Sequence, residues 1–449
     1  MRKAIIIAKE KNEAMKSQIP TIFHEIIDKP IISKIVDNFV ELEFDDVTTV
    51  IAPQMRKVKE ILPEQCQLLM TTQSVFDYKL LKSLIKDEEG VTFITRGNIP
   101  NVTKTTYLIM EEKLAEYPMV VLTTNERVSD DQDIVLRNPR ASIRSMIKYA
   151  DATLDQREIK EVNTNVYAFK NKMLFDYLNA NAQDTDLFDP AEIISWYKED
   201  QHQVLPYMLN GSLEALAIRS REDLVKASNW ERVRIINHWL ANGVTIYNSD
   251  SVVIGNDVKI DHDTVIYQNN TIVGKTVIGK YNTLEVGNYI DNSTIGLANT
   301  IEQSRIVNSH IKDHNSVGPW ANLRESVSIG SKNRICTSVE LKKVSIQDNN
   351  AVAHNVYLGN TEVGSGCNIG WGVVTANYDG NHKYNTTIGN NTFVGSSSTL
   401  IAPMQIGDHV VIAAGSTVYG EVNNDDMVIA RARPVVKTGR GKQFLEGDK

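Results

Sequence analysis

The chain has 449 residues, 42% of them hydrophobic and 23% charged, with a formal net charge of -8 at pH 7. Such a length predicts two or three domains, and such a composition a packed globular protein rather than a disordered one. The acidic balance excludes a broad electrostatic surface for nucleic acid or an anionic membrane, so anionic ligands require locally placed cations.

The apolar run Ala4 to Ala8 stops at Lys9 and Glu10, too soon for a signal sequence or a spanning helix, which predicts a cytoplasmic protein. Up to about residue 225, short apolar runs alternate with helix-length amphipathic stretches. Ala4–Ala8, Val47–Ala52, Val91–Thr95 and Met119–Leu122 read as buried strands, and Pro30–Leu42 and Lys79–Lys86 as helices. This alternation predicts an α/β domain with a mostly parallel sheet over 1–227. Ser228 then reads as the N-cap of a linker helix over 228–243, with Trp230, Val233, Ile236 and Leu240 on one face and Asn242-Gly243 as its stop. The cysteines Cys66, Cys336 and Cys367 fit neither a disulfide framework nor a zinc spacing and read as small buried hydrophobes.

From Val244 aliphatic residues recur every six positions: Ile254, Ile260, Ile266, Ile272, Ile278, Leu284 and Ile290, then Ile311, Val317, Leu323, Ile329, Ile335 and Leu341. A third run holds Ile388, Val394, Leu400, Ile406, Ile412 and Val418. Neither a helix nor a simple strand has that period, whereas a hexapeptide-repeat parallel β-helix does. Each six residues make one flat face of a triangular coil, with one aliphatic side chain inward. Gly255, Asn256, Gly279, Asn282, Gly330, Asn333, Gly389 and Gly407 stand where corners need backbone that Gly and Asn tolerate best. The coil is expected over 244–430, with a tail over 431–449. Between Thr375 and Ile388 the period fails in a polar, turn-rich insertion, a candidate binding loop.

Gly318-Pro319-Trp320, Leu323-Arg324, Val339 to Lys343, Ala353 to Gly359, Asn368-Ile369-Gly370, Asn377 to Gly380, Lys383 and Ile412 to Gly415 together resemble the bifunctional UDP-N-acetylglucosamine pyrophosphorylase/glucosamine-1-phosphate N-acetyltransferase (GlmU) family. The resemblance implies a Rossmann-like α/β nucleotidyltransferase domain followed by a left-handed parallel β-helix. It also implies transfer of acetyl from acetyl-CoA to glucosamine 1-phosphate, at sites between adjacent coils of a homotrimer. His354 stands at the position of the general base, a task that suits an imidazole at neutral pH, and Glu340 at that of a nearby carboxylate. Arg324, Lys342, Tyr357, Asn368 and Lys383 match the acceptor-binding positions, with the three cations suited to a sugar phosphate. Asn377, Tyr378, Ser396, Ala414 and Arg431 match the acetyl-CoA contacts, a backbone amide near Ser396 being a candidate oxyanion donor. Lys437, Arg440 and Lys442 are placed to meet the CoA phosphates. Any one of these residues alone reads as solvated surface; their joint spacing carries the expectation. Trp371 departs from the family, which usually has Ala there, beside the expected thioester path.

The resemblance weakens in the first half. The family's Gly-rich loop has its glycines replaced by Glu10 and Asn12, its Arg by Ala14 and its Lys by Thr21, and Glu10 and Glu13 would face a triphosphate. The uridine-binding motif has become Gln73-Ser74-Val75-Phe76-Asp77-Tyr78-Lys79. Asn98 stands for the metal-binding Asp and Arg219-Ser220 for an Asn pair, so no metal ligands are expected and Mg²⁺ is not expected to bind. Glu161-Val162-Asn163-Thr164 survives, with Asn165 for the following Gly. These changes imply an N-acetyltransferase of UDP-N-acetylglucosamine synthesis whose uridylyltransferase activity is lost. Its partners are expected to be small molecules and copies of itself, without nucleic acid or membrane. Two alternatives stay open: a different amino-sugar acceptor, or a non-catalytic regulatory paralogue.

Overall fold

The computed structural model describes residues 1–9, 13–72, 78–85, 89–128, 132–181, 189–199 and 201–446. The chain divides into two compact units, Met1–Arg234 and Ile235–Lys449.

The first unit is built on a nine-stranded mixed sheet. Its main path runs Leu205–Leu209, Met119–Thr124, Val162–Lys170, Val91–Arg96, Arg2–Ala8, Asp46–Ile51, Cys66–Met70. Neighbours on this path are parallel except at Val162–Lys170, which is antiparallel to both of its own. The four apolar runs foreseen as strands all lie in this sheet, within a residue or two of their expected ends. Their side chains feed two apolar clusters. One holds Phe39, Phe44, Phe93 and Tyr107 in edge and tilted ring contacts; the other holds Tyr78, Tyr167, Tyr177 and Tyr197. Near-continuous hydrophobic strands are what a sheet covered on both faces requires, and the unit has the Rossmann-like α/β architecture. Helix Ile31–Glu41 matches expectation. The next helix is Tyr78–Leu84, so it closes before Lys86, which lies outside the described residues together with Gln73 to Asp77, Glu10 and Asn12.

The helix expected over 228–243 begins earlier, running Arg221–Ala241. Ser220, not Ser228, starts it: the Ser220 hydroxyl accepts from the Asp223 amide (3.1 Å), and the Asp223 carboxylate accepts from the amides of Arg219 and Ser220 (3.0 Å each). That reciprocal arrangement satisfies helix-end donors as a capping box does. The apolar face also differs from expectation, since Val233 and Leu240 are 46% and 44% exposed. The buried positions of its first half are Ala227 and the fully buried Glu231. Glu231 bonds Lys34 (2.5 Å) and accepts two bonds from Arg234 (2.7 and 2.8 Å). A carboxylate in a core position hides the face from any reading of apolar periodicity.

The second unit is a left-handed parallel β-helix of three sheet faces. Every aliphatic residue of the sixfold series is at most 6% exposed. The coil is continuous where the series seemed to lapse. Ile295, Ile301 and Ile306 fill the first gap and Ile346, Val352, Leu358, Val363 and Ile369 enter the second, all of them buried. Thr271 pairs with Tyr289 and Tyr289 with Arg305, so the turn shortens from 18 to 16 residues there and the six-residue count slips.

The corners work differently from expectation. None of Gly255, Asn256, Gly279, Asn282, Gly330, Asn333, Gly389 and Gly407 has positive φ; left-handed backbone is carried by residues as varied as Tyr281, Ala298, His314 and Trp320. The glycines are needed for closeness: a Cβ on Gly389 would lie 2.5 Å from the backbone of Gly407 in the next turn. The asparagines form a buried ladder. Asn282 donates to the carbonyls of Gly279 and Gly296 (2.7 Å each). The side-chain oxygens of Asn282, Asn299, Asn315 and Asn333 each accept the backbone N–H of the next rung at 2.8 Å, and Cys367 ends the series on Asn350. Of the three cysteines only Cys367 is buried, Cys66 and Cys336 being half-exposed; burial pushes the Cys66 and Cys367 thiols up. No described helix is long and apolar enough to cross a membrane.

Candidate functional site

Parallel register decides which side chains share a face of the coil. Asn322 pairs with Glu340 and Glu340 with Tyr357, while Arg324 pairs with Lys342 and Lys342 with Gly359. Because alternate residues of a strand point the same way, Arg324, Glu340, Lys342 and Tyr357 all stand outward on adjacent rungs. Arg324 donates to Glu340 Oε1 (2.5 and 3.1 Å) and to Glu325 (3.0 Å), and Lys342 pairs with the same Glu325 oxygen (3.0 Å). Lys383 reaches the group from the insertion, where the Lys342 ammonium holds its own amine below the usual lysine range. Hydrogen bonding to Glu325 raises Lys342, hydrogen bonding to Glu340 raises Arg324, and Lys342 holds the Glu325 carboxyl low. Exposed ion pairs of this kind add little to stability. They hold Arg324 and Lys342 together through Glu325, with Lys383 beside Lys342. Glu325 is the member that the sequence reading missed. Asn322 is another, its side-chain oxygen buried with no hydrogen-bond partner among the described residues.

The insertion is pinned to this face. The Asn377 side chain, 6% exposed, donates to Asn360 (2.9 Å), and Gly359 has no room for a Cβ because Tyr357 Oη and Asn377 Nδ2 lie 2.6 and 2.8 Å away. Tyr378 and Lys383 form an antiparallel bridge, and Asp379 accepts from the amides of His382 (2.7 Å) and Asn381 (2.8 Å), which hold its carboxyl low. The loop thus presents Tyr378, 60% exposed, and Lys383 on a braced turn, while the Asn377 side chain is committed to the brace.

A second line of residues follows one corner of the coil. Backbone bonds link successive turns: Asn355 N to Thr337 O (2.9 Å), Gly372 N to His354 O (3.1 Å), Ser397 N to Trp371 O (2.6 Å) and Gly415 N to Ser396 O (2.8 Å). His354, Trp371, Ser396 and Ala414 therefore stack in a column, one rung of roughly 5 Å apart each. The Arg431 guanidinium donates to the Ala414 carbonyl and extends the column. His354, Ser396, Ala414 and Arg431 are exposed, and no hydrogen bond joins His354 to Glu340 among the described residues. Asn368 lies on a different face, pairing with Ala351 and Phe393, so one coil does not bring it to the Arg324 cluster. Lys437, Arg440 and Lys442 sit in the exposed tail.

In the first unit, the Asn98 side-chain amide donates to Ile218 O (3.1 Å), while its buried carbonyl oxygen has no partner among the described residues. The Arg219-Ser220 backbone caps the helix, as described. Glu161 is held by Arg137 through two bonds (2.6 and 2.7 Å) and by Thr123. Asn165 adopts φ 62°, the left-handed geometry that Asn tolerates in place of Gly. Among the described residues no three His, Cys, Asp or Glu side chains converge on a metal position.

A continuous hexapeptide coil with polar side chains gathered on one face and along one corner defines a transferase of the hexapeptide class, and residues 385–420 match the family model described as bacterial transferase hexapeptide (six repeats). The chain is 34% identical to the bifunctional protein GlmU of Shouchella clausii over 97% of its length and 98% of that protein. It is 33% identical to GlmU of Clostridium acetobutylicum, over 97% of both chains, and to GlmU of Listeria monocytogenes serotype 4a, over 99% of both. It belongs to the GlmU family, and it is an enzyme of that family's acyltransferase type.

Proposed function

We propose that the β-helix transfers acetyl from acetyl-CoA to the amine of glucosamine 1-phosphate. The observation that carries this is the convergence of Arg324, Lys342 and Lys383 on one outward face, an anion seat on an acidic chain, close in sequence to the exposed His354. In the step as we read it, the amine nitrogen attacks the thioester carbonyl and His354 takes the proton released from nitrogen. A backbone amide near Ser396 stabilises the oxyanion. The C–S bond then breaks, and the thiolate leaves and takes up a proton. Proton transfer by a placed imidazole is worth about 10²–10⁴ in rate, and one oxyanion donor about 10²–10³. Tyr357 lies over the same face to meet sugar hydroxyls. Asn368, on another face, suits a site made between copies of the coil, and we propose the homotrimer; light scattering at the monomer mass would overturn it.

We further propose that the first unit no longer makes UDP-N-acetylglucosamine. Asn98 is neutral and its amide is engaged by a backbone carbonyl, and Arg219 stands where a second ligand would be needed, a poor set for a hard cation. Free thiol release from acetyl-CoA and glucosamine 1-phosphate tests the first reading. No release above background in the presence of the acceptor would refute it, and faster release with another amino sugar would reassign the acceptor. Pyrophosphate appearing from UTP, N-acetylglucosamine 1-phosphate and Mg²⁺ would refute the second.

A further inference from the structure

We infer that Trp371 determines which acyl group this site accepts, an inference that rests on the acetyl-transfer reading above. In the corner column Trp371 occupies the rung between His354 and Ser396. Its backbone is fixed from both sides. Its carbonyl accepts from Ser397 N (2.6 Å), and Gly372, at φ 70°, donates to the His354 carbonyl (3.1 Å). Gly370 before it has no room for a side chain, since a Cβ would lie 2.7 Å from Ser396 N. The backbone of this rung is thus held on both sides, and the indole is its adjustable part.

The indole is 54% exposed, although its neighbours along the column, Thr337, His354, Ser396 and Ala414, are small or polar. A half-exposed tryptophan on a rigid corner is the kind of surface that a ligand covers. The chemistry says which part of the ligand. The thioester carbonyl carbon must come within about 3–3.5 Å of the attacking amine, whose proton goes to His354, while its oxygen turns to the amide near Ser396. The third substituent on that carbon, the acyl chain, is left at the rung between them. An acetyl methyl fits beside a bulky side chain there; each added methylene meets the indole. Crowding of one methylene in a fixed pocket discriminates by roughly 10–200-fold.

Full-length protein is assayed with glucosamine 1-phosphate and with acetyl-, propionyl- or butyryl-CoA. In Trp371→Ala the ratio of kcat/KM for propionyl-CoA to that for acetyl-CoA rises by about tenfold or more over wild type, and Trp371→Phe, which keeps a ring, holds it within about threefold. An unchanged ratio in Trp371→Ala, or an equal rise in Trp371→Phe, overturns the inference. If Trp371→Ala loses its circular dichroism signal, Trp371→Val is read in its place against the same criterion. Wild-type protein that releases no CoA from acetyl-CoA overturns the acetyl-transfer reading itself and this inference with it. Release with an unchanged ratio overturns this inference alone.

Discussion

His354 is exposed and, among the described residues, hydrogen-bonded only through its backbone, so its replacement tests chemistry with little risk to the fold. His354→Ala is expected to lower kcat for CoA release about 10²–10⁴-fold with circular dichroism unchanged; a loss under about tenfold would remove the imidazole from the mechanism. In the proposed mechanism Arg324 and Lys342 serve binding rather than proton transfer. Lys342→Met removes one anion contact and is expected to raise KM for the sugar phosphate more than it lowers kcat, as loss of interaction shared by ground and transition states does. These residues were legible in the sequence as candidates because the motifs around them are dense. Glu325 was not, since a lone acid after Arg324 has no pattern until the register sets it between Arg324 and Lys342. The bracing bond of Asn377 was not legible either. Its side chain turns inward to Asn360, which spacing alone does not reveal.

The sixfold aliphatic series announced the coil because one inward side chain per face is its packing rule. The bonding between turns was hidden. In sequence the asparagines look like corner residues chosen for their backbone, yet they bind one rung to the next through their side chains. Asn315→Ala would leave the Asn333 amide and nearby carbonyls unsatisfied in the interior and is expected to cost about 1–3 kcal/mol, read as a lower denaturation midpoint of the coil. The helix Arg221–Ala241 shows a second kind of concealment. Its first turn is set by Ser220 and Asp223, and its buried stripe holds Glu231, so neither cap nor face follows an apolar count. Burial raises the Glu231 carboxyl, and its bonds to Arg234 and Lys34 more than offset this, so it is held below the usual carboxylate range. A carboxyl depressed in the folded state adds stability above its unfolded pKa of about 4.3 and loses it as pH falls through the lower folded value. Glu231→Gln is therefore expected to destabilise the first unit by about 3–5 kcal/mol at neutral pH, because it removes the buried carboxylate that Lys34 and Arg234 both bond. The deficit should shrink in acid. A deficit that stays constant down to low pH would contradict the pairing.

In the whole molecule, the two units differ in how much of their chemistry the sequence exposes. The α/β unit has its sheet, its apolar clusters and the left-handed turn at Asn165, while Asn98 and Arg219 are the residues on which the proposed loss of metal binding rests. Its fold was readable from alternating apolar runs. The antiparallel insertion of Val162–Lys170 was not, because strand direction leaves no trace in composition. The coil has its continuous scaffold and carries the side chains proposed above for acyl transfer. The most direct test supplies everything both units would need: full-length protein with acetyl-CoA, glucosamine 1-phosphate, UTP and Mg²⁺, with the products identified by mass spectrometry. N-acetylglucosamine 1-phosphate accumulating without UDP-N-acetylglucosamine is the expected result; formation of the sugar nucleotide, or no acetylated sugar at all, would contradict it.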